Sequence, residues 1–315
     1  MALSDVFVGD FSAAEHKAWR RSRGHLKMQR SRYATLRRVF ETGVPAHQDH
    51  RESGKDNTPK VSIGRTVNHM NSYQPLFYPE SKFGGFTDID GTVAFYSRVN
   101  ALLQQSFAVV DFGCGRGEHQ EDPVAFRRNL VCLKGKVSRV YGTDVDQVGQ
   151  TNPSIDEFRP LAPSGPWPFD DRSVNMVVCD WVMEHLPDPS AFFDEARRVL
   201  VPGGYICIRT LNIHSYVGVA SRLIPNKLHS KVLAKVQDGR KEEDVFPTLY
   251  RCNTISTVRK QFKIRNFRAV VYGYEAEPSY LSFAKLAYAL GVLNQKFAPG
   301  FLRPAILAFG QTPIN

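Results

Sequence analysis

Three glycines and a few aspartates carry the chemistry most plainly written in this sequence. Val109-Val110-Asp111-Phe112-Gly113-Cys114-Gly115-Arg116-Gly117 reads as a buried strand ending at Asp111, followed by a loop with glycine at every second position. Glycine permits a sharp turn and lets backbone touch a ligand, because no Cβ intervenes. A helix starting near 117 would add free N–H groups for an anionic ligand end. A second acidic strand tip follows in Val140-Tyr141-Gly142-Thr143-Asp144-Val145-Asp146. A carboxylate there can accept hydrogen bonds from both hydroxyls of a ribose. Asp144 is the first choice because it directly follows the apolar run, with Asp146 as competitor. The alternative for either is to cap the turn that follows.

A dinucleotide-binding fold uses a similar loop, but its fingerprint is G-x-G-x-x-G. Here position 118 is Glu118, and the strand ends in Asp111, which would repel a pyrophosphate. A ligand bearing a sulfonium and an ammonium tolerates that carboxylate. The loop therefore favours S-adenosylmethionine over a nicotinamide dinucleotide. Asp144 also lies 33 positions after Asp111, longer than the gap of about 20 in a dinucleotide unit.

Those tips need a sheet to hold them. Apolar runs at 107–112, 137–143, 174–180, 204–209, 267–274 and 304–309 predict strands, and a short charged run at 155–161 predicts one more. Helices are predicted over 91–105, 117–132, 189–200 and 254–262. The alternation implies an α/β domain with a parallel sheet covered by helices. Residues 1–62 read as a basic helical segment followed by a polar linker from 44, with nine Lys or Arg between Lys17 and Arg38. Residues 63–315 form the second zone. The chain has 315 residues, 41 Lys+Arg against 31 Asp+Glu and a formal charge of +10. Nucleic acid, an anionic membrane or an anionic substrate could each exploit that charge, and a solvated surface is the simplest use of it. No charge-free apolar run reaches the roughly eighteen residues of a membrane-spanning helix, and no apolar leader opens the chain. The five cysteines are widely spaced, without a zinc pattern, which fits a reducing cytoplasm. No metal site is expected.

Beyond the glycine loop, three further stretches carry a resemblance. Trp167-Pro168-Phe169-Asp170-Asp171-Arg172-Ser173-Val174 leads into the strand at 174–180. Trp181-Val182-Met183-Glu184-His185-Leu186 follows that strand. Glu195-Ala196-Arg197-Arg198-Val199-Leu200-Val201-Pro202-Gly203-Gly204 precedes the next one. With the loop, these stretches resemble the class I S-adenosylmethionine-dependent methyltransferases, in family order over about 100 residues, and especially the members acting in ubiquinone and menaquinone biosynthesis. The resemblance implies a Rossmann-like, seven-stranded, mostly parallel sheet with helices on both faces and a reversed last hairpin. Helical insertions are expected over 211–250, as a lid, and over 279–297. It implies that Asp111, Gly113, Gly115 and Gly117 line the methionine part of the cofactor, that Asp144 is the ribose acid, and that Asp180 and Trp181 contact cofactor and substrate. The stretch 159–163 lacks the acid often seen beside adenine, so no residue is assigned there.

The implied activity is methyl transfer to a small-molecule, glycan or lipid-linked acceptor. The strand tip reads Cys179-Asp180-Trp181-Val182, without the Asp/Asn-Pro-Pro-Tyr of base-amino methyltransferases, which favours oxygen and disfavours nucleic acid. An oxygen acceptor calls for a general base, and His185 is the candidate. The alternative is that Glu184 and His185 anchor the loop. His214 and Tyr216 are the candidate substrate residues. Phe283, Leu286, Leu290, Leu293 and Phe297 share a helical stripe that predicts core or oligomer packing, with peripheral membrane attachment as the alternative. Two other functions stay open at this point: an RNA methyltransferase, from the basic charge, and a non-catalytic cofactor-binding protein.

Overall fold

The computed structural model of the protein describes residues 73–162, 165–223 and 247–314. Every described residue belongs to the unit Thr66–Asn315. The basic segment expected over 1–62, and residues 224–246 of the expected lid, lie outside the described residues.

In chain order the elements are α1 (Gln74–Phe77), α2 (Gly91–Leu102), β1 (Ala108–Phe112), α3 (Ala125–Val131), β2 (Arg139–Thr143), β3 (Glu157–Phe158), β4 (Val174–Asp180), α4 (Pro189–Val199), β5 (Leu200–Leu211), α5 (Tyr216–Leu223), α6 (Ile255–Ile264), β6 (Arg268–Tyr274), α7 (Lys285–Phe297) and β7 (Ala305–Gln311). The strands form one sheet in the order β3-β2-β1-β4-β5-β7-β6. β1 to β5 pair in parallel, and β7 runs antiparallel to both β5 and β6. This is the Rossmann-like sheet with a reversed last hairpin. Strand order reverses at β1, whose neighbours are β2 and β4, and in such sheets ligands bind at that switch point, beyond the carboxyl ends.

Helices cover both faces because each carries one apolar stripe. α2 buries Phe95, Tyr96 and Val99 against one face. Its N-terminus is capped by Asp90, which accepts from the N–H groups of Thr92 and Val93 at 2.9 Å each. On the other face α4 buries Phe192, Phe193, Ala196 and Val199, and α6 adds Val258 and Phe262. Phe193 sits at the centre, with ring centroids 5.3 Å from Phe192 and 5.1 Å from Phe262. Asp188 caps α4 and Pro189 occupies its first turn.

Three expectations need correction. The helix predicted over 117–132 is broken into a 3-10 turn at Glu118–Glu121 and the short α3. Pro123 explains the break, since it lacks an N–H and drives the preceding residue out of helical geometry. The loop therefore runs into a 3-10 turn, not the N-terminus of a long helix. The strand predicted over 155–161 shrinks to Glu157–Phe158 at the sheet edge. The stripe on α7 is not core: Phe283, Leu286, Leu290, Leu293 and Phe297 are exposed, and the helix packs through Tyr288, Gly291 and Val292 instead. Among the described residues no helix is long and apolar enough to cross a membrane.

The two kinds of contact around α4 differ in weight. Truncating Phe193 to Ala removes a wholly buried ring and should cost about 3–5 kcal/mol, whereas Asp188→Ala removes only the cap and should cost about 1 kcal/mol. Urea unfolding of the two variants should show this ranking in the transition midpoint at unchanged m-value.

Candidate active site

The carboxyl ends of β2, β1 and β4 bring Asp144, Asp111 and Asp180 together. Gly113 N–H donates to the Thr143 carbonyl at 2.7 Å, and Gly115 N–H donates to Asp144 Oδ2 at 3.0 Å. The glycine loop is thus fastened to the tip of β2. Asn152, which the sequence reading missed, supports it from below: its Nδ2 donates to the Cys114 carbonyl at 2.8 Å while its Oδ1 accepts from Ser154 N–H. Asp144 is buried, and its Oδ1 accepts from Asp146 N–H. Asp146 itself caps the 3-10 turn Gln147–Thr151 by accepting from Val148 N–H, the capping alternative for that position.

The glycines have two different reasons to be glycine. All three sit at positive φ (73° at Gly113, 49° at Gly115, 81° at Gly117). A Cβ on Gly113 would lie 2.4 Å from Val182 Cγ2, and one on Gly117 would lie 2.5 Å from Asn152 Oδ1. Those two are dictated by the protein's own packing. A Cβ on Gly115 would meet nothing within 4 Å. Gly115 therefore faces open space beside Asp111 and Asp144, the place a ligand's backbone-hugging part would occupy.

Across the tips, Asp180 is held by Arg209 on β5 in a two-pronged pair: Nε to Oδ1 at 2.6 Å and Nη2 to Oδ2 at 2.7 Å. Tyr96 Oη donates to the same Oδ2 at 3.1 Å, and Arg209 Nη1 donates to Thr92 Oγ1 at 3.1 Å. Burial works against the Arg209 charge, and Asp180 outweighs it, so the guanidinium stays firmly protonated. Both Asp180 oxygens are thereby engaged by the protein. Trp181 has a left-handed backbone (φ 56°) and lays its half-exposed ring near the Arg209 guanidinium, 5.2 Å away. A non-glycine residue held at positive φ is strained, and such strain gathers at functional sites. Asp111, half-buried and facing the carboxylates of Asp180 and Asp144, has its carboxyl pushed up to about 7, with desolvation the largest cause.

His185 and its neighbour lead away from the strand tip to a later segment. Glu184 is buried and accepts from Thr210 Oγ1 at 2.7 Å, while its carbonyl accepts from Leu249 and Tyr250 N–H. His185 Nδ1 lies 3.1 Å from the Pro247 carbonyl. The pair therefore anchors the segment at 247–250. His214 is exposed, and among the described residues its ring makes no hydrogen bond. Tyr216 is half-buried, its phenol pushed up by burial and by Glu275. The structure does not join His214 to the tips.

A sequence profile described as a methyltransferase domain matches residues 110–208, the span that holds β1, β2, β4 and most of β5. Residues 110–208 thus match a methyltransferase domain, and they carry the centre of the Rossmann-like sheet. The curated ubiquinone biosynthesis O-methyltransferase of Xylella fastidiosa (strain M23) is 32% identical over 112 residues, covering 33% of this chain and 42% of that protein. Its namesake from Xanthomonas oryzae pv. oryzae (strain PXO99A) is 30% identical over 120 residues, covering 36% and 47%. The chain thus spans less than half the length of the curated relatives it matches. A solved S-adenosylmethionine-dependent methyltransferase from Archaeoglobus fulgidus is 16% identical, with a TM-score of 0.43 over 76% of this chain and all of that one.

S-adenosylmethionine is the cofactor of a methyltransferase domain of this class, and the tips suit it. The open face of Gly115 leaves room for close backbone approach, and the cluster of carboxylates offers negative potential to a cation. Two predictions test the fit. Gly115→Ala introduces strain of about 1–2 kcal/mol at positive φ but no clash, so the domain should fold and yet lose at least tenfold in calorimetric affinity for the cofactor. Gly113→Ala should be the less stable of the two, because it also collides with Val182. A cation placed beside Asp111 favours its carboxylate form. Cofactor binding should therefore release a proton near pH 7 and tighten as pH rises from 6 to 8. Calorimetry in buffers of different ionisation enthalpy reads that proton, and Asp111→Asn should abolish it.

Proposed function

We propose that this chain transfers a methyl group from S-adenosylmethionine to a hydroxyl oxygen of a small-molecule acceptor. The observation that carries the reading is the unfilled space on Gly115 at the β2-β1-β4 tips, where its N–H is fastened to Asp144. The bound cofactor supplies a methyl group on a sulfonium, a leaving group that departs as a neutral thioether. The chain's part is to align acceptor oxygen, methyl carbon and sulfur.

Oxygen is supported by the names of the curated relatives and by the absence of a proline-rich amino-methylation motif after Cys179. In this reading Asp144 holds the ribose, and the Gly115 N–H that it accepts fixes the carboxylate for that task. Asp111 and the glycine loop face the methionine part. Asp180, with both oxygens taken, acts by positioning Arg209 and the Trp181 backbone. His185 is the base. Donation from Nδ1–H to the Pro247 carbonyl selects the tautomer in which Nε2 is the proton acceptor, so anchoring and proton removal are compatible roles for one ring.

The test is direct. The purified chain, given methyl-labelled cofactor and a catechol, should place the label on oxygen by mass spectrometry. Methylation of amine nitrogen alone across a panel of amines and hydroxyl compounds would overturn the oxygen assignment. His185→Asn keeps a donor for Pro247 and removes Nε2. It should lower kcat by about 10²–10⁴, the usual span for losing a general base, with cofactor affinity unchanged. An unchanged kcat would remove His185 from the chemistry.

A further inference from the structure

A second polar cluster lies beside the pocket, and nothing above uses it. Behind β6 the chain continues through Glu275, Ala276 and Glu277. Glu275 is buried (4% exposed) and Glu277 is half-buried. Among the described residues neither has an ion-pair partner. Their neighbours are phenols from three other elements: Tyr78 after α1, Tyr216 at the start of α5 and Tyr288 on α7. Tyr288 stacks among Phe77, Tyr78 and Tyr73, with centroids 5.4, 6.4 and 6.2 Å away.

The cluster is under-satisfied. The hydroxyls of Tyr78 (7% exposed) and Tyr288 (0%) are buried without a hydrogen-bond partner among the described residues. Buried polar atoms in folded proteins nearly always have partners, so two such phenols side by side offer groups that a bound ligand can satisfy. The carboxylates are met by neutral donors: Gln74 Nε2 donates to Glu277 Oε2 at 2.5 Å, the Thr87 hydroxyl also bonds Glu277, and the Asn294 side chain, turned to donate, lies 3.0 Å from Glu275 Oε2. Burial pushes the Glu275 carboxyl up to about 7, with Arg303 only partly offsetting it, and burial raises Glu277 as well. The fold thus buries two carboxyl groups that form no ion pair among the described residues, with Arg303 and Arg127 offsetting the burial of Glu275 and Glu277 only in part.

Position ties the cluster to the reaction centre. A Cβ built on Gly91 would lie 3.3 Å from Ala276 Cβ and 3.9 Å from Arg209 Nη1. Ala276, between the two glutamates, therefore packs against the same wall as the Asp180–Arg209 pair. Glu277, Tyr216 and Tyr280 are half-buried, while Glu275, Tyr78 and Tyr288 are buried.

We infer that this cluster is the acceptor subsite and that it seats a protonated amine, held by Glu275 and Glu277 and walled by the rings of Tyr78, Tyr216 and Tyr288. The acceptor is then a small hydroxyl compound that also carries an ammonium group. Carboxylates supply charge-assisted acceptors, the unpartnered phenols supply further acceptors, and the ring faces favour a cation. The inference rests on the proposed methyl transfer for the word acceptor, but not for the binding itself.

The test therefore measures binding without turnover. Benzylamine and its uncharged counterpart benzyl alcohol are titrated into the full chain by calorimetry, with S-adenosylhomocysteine titrated separately. Benzylamine should bind saturably and at least tenfold more tightly than benzyl alcohol. Glu275→Gln with Glu277→Gln should erase that preference while leaving S-adenosylhomocysteine affinity within twofold. Equal binding of amine and alcohol, or a preference that survives the double substitution, overturns the subsite. Should the double variant fail to fold, Tyr78→Phe with Tyr288→Phe carries the test: it keeps the rings, removes two unpartnered hydroxyls and should weaken benzylamine severalfold, and no change would overturn the assignment. Loss of S-adenosylhomocysteine binding in the unaltered chain, with benzylamine still bound, would sink the methyl-transfer reading and spare the cation site.

Discussion

The buried pair between Asp180 and Arg209 is the constraint around which the rest of the site is arranged. Neighbouring strands lie roughly 4.8 Å apart, so acids at the ends of β2, β1 and β4 crowd together whether or not the chain can neutralise them. Here Asp144, Asp111 and Asp180 do crowd, and the cation that answers them directly comes from β5. A buried ion pair is weak evidence for stability, because desolvation offsets much of its attraction. Its value here is positional. It fixes the end of β4 against β5 and collects Tyr96 and Thr92 from α2. It also gives the Trp181 ring a guanidinium to rest near while its backbone takes a left-handed turn.

That arrangement separates local charge from global charge. The chain as a whole carries +10, yet the strand tips are a negative enclave. An overall positive balance says little about such a pocket, because a few buried carboxylates in low dielectric outweigh many solvated lysines at a distance. The basic composition pointed toward anionic partners. The site in the structure is instead suited to cations, on the loop side by Asp111 and Asp144 and on the far side of Arg209 by Glu275 and Glu277.

Much of the core was legible in the sequence, and the reasons are local. Each strand around the switch point is a short β-branched or aromatic run ending in a polar residue, so both its position and its tip could be read. Glycines at 113, 115 and 117 announce a turn because few other residues accept positive φ. The sequence could not say which glycine faced the ligand and which served packing, since that depends on Val182 and Asn152, far along the chain. Pro123 was visible and should have broken the helix expected over 117–132. The stripe on α7 was read correctly as a stripe, but periodicity shows only that a face is apolar, not what covers it. Arg209 gave a signal that went unused: a guanidinium inside the run Tyr205-Ile206-Cys207-Ile208-Arg209 demands a buried partner, and Asp180 at the neighbouring tip was the available acid. The Glu275 cluster gave none. Its members come from four segments, and only tertiary packing shows them to be neighbours.

The pairing of Asp180 gains a purpose on the methyl-transfer reading. A catalyst must favour the transition state over the bound reactant. In this reaction positive charge on sulfur fades as the methyl group leaves, so each free carboxylate held near it stabilises the reactant more than the transition state and raises the barrier. Three unopposed acids at the tips would bind a sulfonium tightly and react it slowly. Arg209 takes Asp180 out of that count by engaging both of its oxygens. Asp144 serves hydrogen bonding, a role distant from the reacting carbon. The opposite logic holds at the Glu275 cluster. An ammonium seated there keeps its charge throughout a transfer to oxygen, so negative charge at that spot holds reactant and transition state alike. It adds affinity and orientation without opposing the chemistry. Asp180 is paired where charge is lost during the reaction, and Glu275 and Glu277 stay outside any ion pair among the described residues where charge persists.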